Sequence, residues 1–176
     1  MHSFDEKALR AAFVNASRKD LSDMTPPDLG VVDFDRLDYL GWRDRKLARR
    51  AYLVVPVPEL DPSGAPVPDG AERLVGIVLR QAEAAPRARA QCSWCQDVRL
   101  PNDVVFFSAK RAGAAGRKGD TVGTLMCSEF ECSANVRTPP PPAYLGFDVD
   151  AAVRERTGRL RELAANFGRT LLGDEG

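Results

Sequence analysis

The sequence predicts an α+β chain: antiparallel β-hairpins organised around four cysteines, flanked by N-terminal and C-terminal helices. Three observations predict it. All four cysteines fall in two close pairs, Cys92/Cys95 and Cys127/Cys132. Short apolar, β-rich runs lie before and between those pairs, and a helical apolar stripe closes the chain. The boundaries that follow are an N-terminal helical segment over 1–34 and one cysteine-centred domain over 35–176 that includes the last helix.

The elements follow in order. Ser3 and Glu6 have capping-box spacing, and Leu9, Ala12, Phe13 and Ala16 follow at helical intervals, so a helix is expected over about 4–20, ending before Pro26 and Pro27. Val31 to Tyr39 reads equally as a short helix or an ordered loop. Arg43, Arg45, Lys46, Arg49 and Arg50 form a basic run, read first as a solvated face. The run Ala51 to Val55 is a strand stopped by Pro56 and Pro58, and Leu74 to Leu79 is its antiparallel partner across a Pro/Gly/Asp-rich loop. Arg80 to Ala90 reads as a connector with some helical tendency.

A second strand pair is Val104 to Phe107 with Thr121 to Met126. The Ala/Gly-rich stretch 112–119 between them reads as a mobile hairpin tip, and it lacks the Gly-Lys-Ser/Thr ending of a phosphate loop. Pro139 to Pro142 make a stiff extended spacer. Beyond it Val149, Val153, Leu160, Leu163, Phe167 and Leu171 mark an amphipathic helix, capped by Asp148 or Asp150 and ended by Gly173.

Composition narrows the function. The chain has 176 residues, 44% hydrophobic and 28% charged, as soluble globular proteins do. No apolar run approaches the roughly 20 residues of a membrane span, and MHSFDEKALR lacks the apolar core of a signal peptide, so a cytoplasmic protein is expected. Twenty-five basic residues balance 25 acidic ones, which argues against a dedicated nucleic-acid coat. Twenty arginines against five lysines read first as coding bias and second as a functional arginine surface. The single histidine, His2, sits at a terminus, so catalytic units that need a held imidazole are absent. A binding protein is expected, not an enzyme, with no small-molecule substrate.

Two cysteines in a tight turn present both thiolates to one ion, and Zn²⁺ accepts four such sulfurs tetrahedrally. Thirty-one residues separate the pairs, enough for the expected hairpin. Two disulfides are the alternative for an oxidising compartment, and a redox CxxC would need a βαβ setting that the layout lacks. The expected cofactor is one structural zinc on Cys92, Cys95, Cys127 and Cys132; with four protein ligands it has no open position for catalysis. The order of knuckle, hairpin and second pair fits a treble clef, and spacing leaves open whether Ser128 to Glu131 is a loop or an opening turn.

Gln91-Cys92-Ser93-Trp94-Cys95, the strand Val104 to Arg111, and Gly119 to Ser128 together resemble the elongation factor G-binding, fusidic-acid-resistance family, whose C-terminal domain is a treble-clef zinc finger. Tyr39 to Asp44 and Arg50 to Val55 are similar to its shorter bacterial members. The resemblance spans roughly 35–170. It implies a cytoplasmic partner of elongation factor G that promotes the factor's release from fusidic-acid-stalled ribosomes, without chemistry on the drug. The chain has too little N-terminal sequence for the full helical bundle of the resistance proteins. By position, the resemblance nominates Trp94, Lys110, Arg111, Lys118 and Phe167 as partner-binding residues. From Arg87 to Arg137, eight Arg/Lys against five Asp/Glu give a local positive excess that suits an acidic protein face or ribosomal RNA. A nucleic-acid-binding zinc module using the 43–50 basic run is therefore the alternative reading.

Overall fold

The computed structural model describes residues 1–67, 71–83, 90–97 and 101–173. Its centre is a five-stranded antiparallel meander: β1 (Leu40–Arg43), β2 (Arg50–Pro58), β3 (Glu72–Gln81), β4 (Val104–Lys110) and β5 (Thr121–Cys127), ordered as in the sequence. On one face Ala51, Leu53, Val55, Val75, Ile77, Leu79, Phe107 and Met126 form the main core with Leu160, Ala164, Phe167 and Leu171 of a long C-terminal helix (Val149–Leu172) and with all four cysteines. On the other, Leu40 and Val54 pack with Leu9 under a layer that includes Phe4, Phe13, Trp42 and Leu74. Because both faces are covered at β2, Ala51 to Val55 are all buried and the strand reads as a continuous apolar run, without alternation.

The structure corrects three expectations and adds one strand. The N-terminal helix breaks into α1 (Glu6–Ala12) and α2 (Arg18–Asp23). Asp5, not Ser3, caps the first, and the capping box is formed by Ser17 and Asp20 at the start of the second. The break has a tertiary cause. β3 and β4 pair only at Arg80–Ser108 and Gln81–Phe107 and then diverge. The segment at Phe13 to Asn15 enters the gap, where Val14 N–H donates to the Gly76 carbonyl (2.9 Å). Asn15 binds Val78 in both directions and donates to the Lys110 carbonyl (3.0 Å). Gly76 permits this contact, since a Cβ there would lie 2.9 Å from the Phe13 Cα.

Pro56 and Pro58 do not stop β2; they pair with Leu74 and Glu72 of β3. β1 reaches only as far as Val54, so beyond it β2 has an open side where a missing N–H costs little. The stretch read as a mobile hairpin tip contains a one-turn helix, α3 (Gly113–Arg117), packed by Gly116 against the Arg111 carbonyl. Finally, β1 is a strand at a place where apolar composition announces none.

The remaining expectations have their places. Phe34–Arg36 forms a 3-10 turn within the undecided stretch 31–39. The Arg80 to Ala90 connector begins as the end of β3, and its residues 84–89 lie outside the described residues. Cys132–Arg137 forms a short helix, α4, and Val149–Leu172 is α5. Asp148 caps α5 by accepting from Ala151 N–H, and Gly173 ends it in the left-handed conformation. Among the described residues no helix is long and apolar enough to cross a membrane.

Candidate metal centre

Cys92 and Cys95 flank a tight turn that Ser93 N–H pins to the Leu125 carbonyl of β5 (2.9 Å). Gln96, in the left-handed region at φ 54°, turns the chain away and returns its N–H to the Cys92 carbonyl (3.0 Å). Cys127 ends β5. Phe130, at φ 64°, closes a turn onto the Cys127 carbonyl, and Cys132 opens α4. Ser128 to Glu131 is thus a turn leading into the helix, which decides between the two readings of the four-residue gap.

These four sulfurs lie within 4.8 Å of one another and all four cysteines are buried. Cys92 and Cys132 sulfurs are 3.6 Å apart, and those of Cys95 and Cys127 are 3.7 Å apart. A disulfide requires about 2.05 Å. Four sulfurs at roughly 2.3 Å from a tetrahedral Zn²⁺ would stand about 3.8 Å from one another. The cysteines are therefore arranged for one zinc ion, with no position left for a substrate.

The surroundings favour thiolates. Trp94 N–H points at Cys92 Sγ (3.4 Å), and the Asn135 amide points at Cys95 Sγ (3.6 Å) and Cys127 Sγ (3.4 Å). Asn135 is placed by α4, whose end is tied to α5 through Arg156: its guanidinium donates to the Asn135 carbonyl (3.1 Å), the Thr138 carbonyl (3.0 Å) and Asp97 (2.9 Å). Without an ion the four thiols cannot all ionise. Hydrogen bonds from Cys127 and Cys132 hold Cys92 far below its ordinary value, while Cys132, bonded to Cys127 and facing the other sulfurs, is pushed up. A divalent cation removes that conflict.

Trp94 couples this centre to the rest of the fold. Its indole N–H donates to Thr124 Oγ1 (2.9 Å), and its ring packs edge-on against Tyr39 and Phe167 at 5.1 and 5.6 Å between centroids. Trp94 and Phe167, nominated for a partner surface, are instead core residues, 3% and 8% exposed. Lys110 and Lys118 are exposed at opposite ends of the β4–β5 connection. Arg111 is half-buried and donates to the Thr170 carbonyl of α5 (2.9 Å). Of the 43–50 basic run, Arg43 binds Ala48 and Gln81, Arg49 pairs with Glu83 and Arg50 with Asp20, while Arg45 and Lys46 are exposed.

Two functional positions escaped sequence reasoning. Asn135 sits three residues after Cys132, which signals a ligand-facing position only once α4 is known to start at that cysteine. Asp38 is fully enclosed: it accepts from Arg137 and Arg161, and its own N–H donates to Ser133 Oγ. Nothing distinguished it from Asp33 and Asp35.

No curated protein matches the chain closely enough to count as a relative. The chain does match the family described as FBP C-terminal treble-clef zinc-finger, across residues 8–171. It belongs to that family.

Proposed function

We propose that this family member is a zinc-dependent binding module for the translational GTPase elongation factor G, acting in the cytoplasm to promote the factor's release from the ribosome, and that it catalyses no reaction of its own. The observation that carries the reading is a family match over nearly the whole chain combined with a closed four-cysteine centre. Such a metal holds shape; it has no open position for a reactant. Exposed residues supply anchors for a protein partner: Lys110 and Lys118 at the end of the β4–β5 hairpin away from Cys127, and Tyr144 and Leu145 (67% and 103% exposed) in the loop between α4 and α5.

Calorimetry with purified elongation factor G tests this directly. The zinc-loaded protein should bind, the chelator-stripped protein should not, and Tyr144→Ala with Leu145→Ala should weaken binding. Release of the factor from fusidic-acid-stalled ribosomes then tests the consequence. No association at tens of micromolar, with zinc content intact, would refute the proposal.

A further inference from the structure

The sheet face that carries α1 and α2 is covered only in part. On it, β4 and β5 present Phe106, Ser108, Lys110, Thr121 and Gly123, the alternate residues to the buried Phe107, Ala109 and Thr124. Phe106 is left 42% exposed, and among the described residues it is the large hydrophobic of the β-strands that the fold leaves most open. Its ring leans along the strand over Gly123, with the ring tip inside the space that a Cβ of Gly123 would take. Any other residue at 123 would displace the ring. Glycine here gives the phenyl group a floor.

The neighbouring positions are cationic and hydroxylic. In register across four strands run Arg50, Arg80, Ser108 and Gly123, and the pair Lys110–Thr121 lies beside them. Of the two arginines that face each other across β2 and β3, Arg50 is paired with Asp20 (3.1 Å), whereas Arg80 is exposed and has Lys110 as a second exposed cation in the same cleft. Arg50, Arg80, Lys110, Ser108 and Thr121 also line a cleft of about 380 Å³ under the start of α2. Its carboxylate, Asp20, is already engaged by Ser17 and by Arg50 (3.1 Å).

We propose that this face binds single-stranded RNA, with a base stacked on Phe106 and the adjoining phosphates held by Arg80 and Lys110 in the cleft. The chemistry is that of single-strand binders generally: an exposed aromatic supplies a sequence-tolerant stacking surface, and cations beside it follow the backbone. A protein partner would use the aromatic equally well, but it does not account for the two exposed cations, Arg80 and Lys110, set beside the hydroxyls of Ser108 and Thr121 at the cleft. The site is separate from the metal centre and shares only Lys110 with the residues offered to elongation factor G.

The test is fluorescence anisotropy of the zinc-loaded full chain with a labelled single-stranded oligouridylate and with a matched RNA duplex, across a salt series. The single strand should bind more tightly than the duplex. Phe106→Ala should weaken binding by about five- to 150-fold, the range of one stacked base, and Phe106→Trp should retain it. Arg80→Ala with Lys110→Ala should flatten the salt slope by roughly 1.4, about 0.7 for each phosphate no longer neutralised. Zinc stoichiometry and circular dichroism confirm that each variant is folded, and the tryptophan and double-alanine variants decide the matter if Phe106→Ala is not. Absence of binding at low salt, equal affinity for duplex, or a Phe106 dependence confined to elongation factor G would each overturn the assignment.

Discussion

Replacing Asp38 by asparagine keeps the side chain's shape and removes its charge from a site that is 0% exposed. Three charge-assisted hydrogen bonds change: Arg137 Nη1 to Oδ2 (2.5 Å), Arg137 Nη2 to Oδ1 (3.1 Å) and Arg161 Nε to Oδ1 (2.8 Å). Bonds to charged groups contribute about 1.5–3 kcal/mol each, but the Arg161 side chain is 60% exposed and water replaces most of what it loses. Arg137, at 27% exposure, cannot be rehydrated as readily. Asparagine still offers one acceptor, so the expected loss is about 2–3 kcal/mol, or a fall in Tm of roughly 5–10 °C. Arg137→Ala should cost at least as much, because it leaves a buried carboxylate with one exposed partner. Arg161→Ala should cost less than about 1 kcal/mol. Urea unfolding at saturating zinc measures all three. A change below about 0.5 kcal/mol for Asp38→Asn, or Arg161→Ala exceeding Arg137→Ala, would refute the account of Asp38 as the lock between the pre-sheet segment and the two C-terminal helices.

Replacing any one of Cys92, Cys95, Cys127 and Cys132 by serine should abolish stoichiometric zinc and disorder the finger while much of α5 persists, read by elemental analysis, Trp94 fluorescence and circular dichroism; a metal-free wild type that is fully folded would count against the site. Asn135→Ala removes the amide that faces two sulfurs and should weaken zinc binding about 10–100-fold in chelator competition. The Tyr52 phenol, raised by burial and by its 2.6 Å bond to Asp44, should titrate at about 12 by ultraviolet difference spectroscopy. Its folded value lies above the unfolded one, so this contribution to stability is complete below about pH 10 and is lost between roughly pH 10 and 12. Asp44→Asn should lower the midpoint without restoring it to 10, because burial remains the largest cause.

The cysteine frame was legible because its information is local: two turns, each carrying a pair, with a hairpin's length between them. The β2–β3 and β4–β5 hairpins were legible from apolar composition, and α5 from its stripe and its two caps. What escaped depends on distant chain. The helix break at Phe13 to Asn15 is dictated by Val78 and Lys110, 63 and 95 residues away. Local spacing at Ser3 and Glu6 offered a plausible cap, and the tertiary insertion between β3 and β4 overrode it. Pro56 and Pro58 break a central strand but not one whose neighbour has ended, and where β1 ends is a fact about topology. Trp94 was ambiguous because an aromatic in a knuckle serves as well inward as outward; Thr124, 30 residues on, supplies the hydrogen-bond partner that turns it inward.

The same long-range wiring decides how far the metal's influence extends. In small autonomous fingers, zinc binding and folding are one event of about 10–16 kcal/mol, because no other core exists. Here the four cysteines share one apolar cluster with Val55, Phe107, Met126, Leu160 and Leu171. Trp94 fills the joint between the knuckle, the sheet and α5, and Asn135 and Arg156 fasten α4 to both. Removing the ion lets the sulfurs take up protons and removes the metal bonds that tie the knuckle to the start of α4, so these two parts should separate. That separation opens the main core at Trp94. The second cluster, built on Leu9, Leu40 and Val54 across the sheet, touches none of the four cysteines and keeps the strands paired. Zinc therefore acts on the shape of one face, the face that holds α5 and the exposed loop beside it. The open β4–β5 surface lies across the sheet and is tied to the metal through β5 and through Phe107, which stacks on Phe130 at 5.5 Å between centroids, so chelation should weaken the proposed binding of elongation factor G before the proposed binding of RNA.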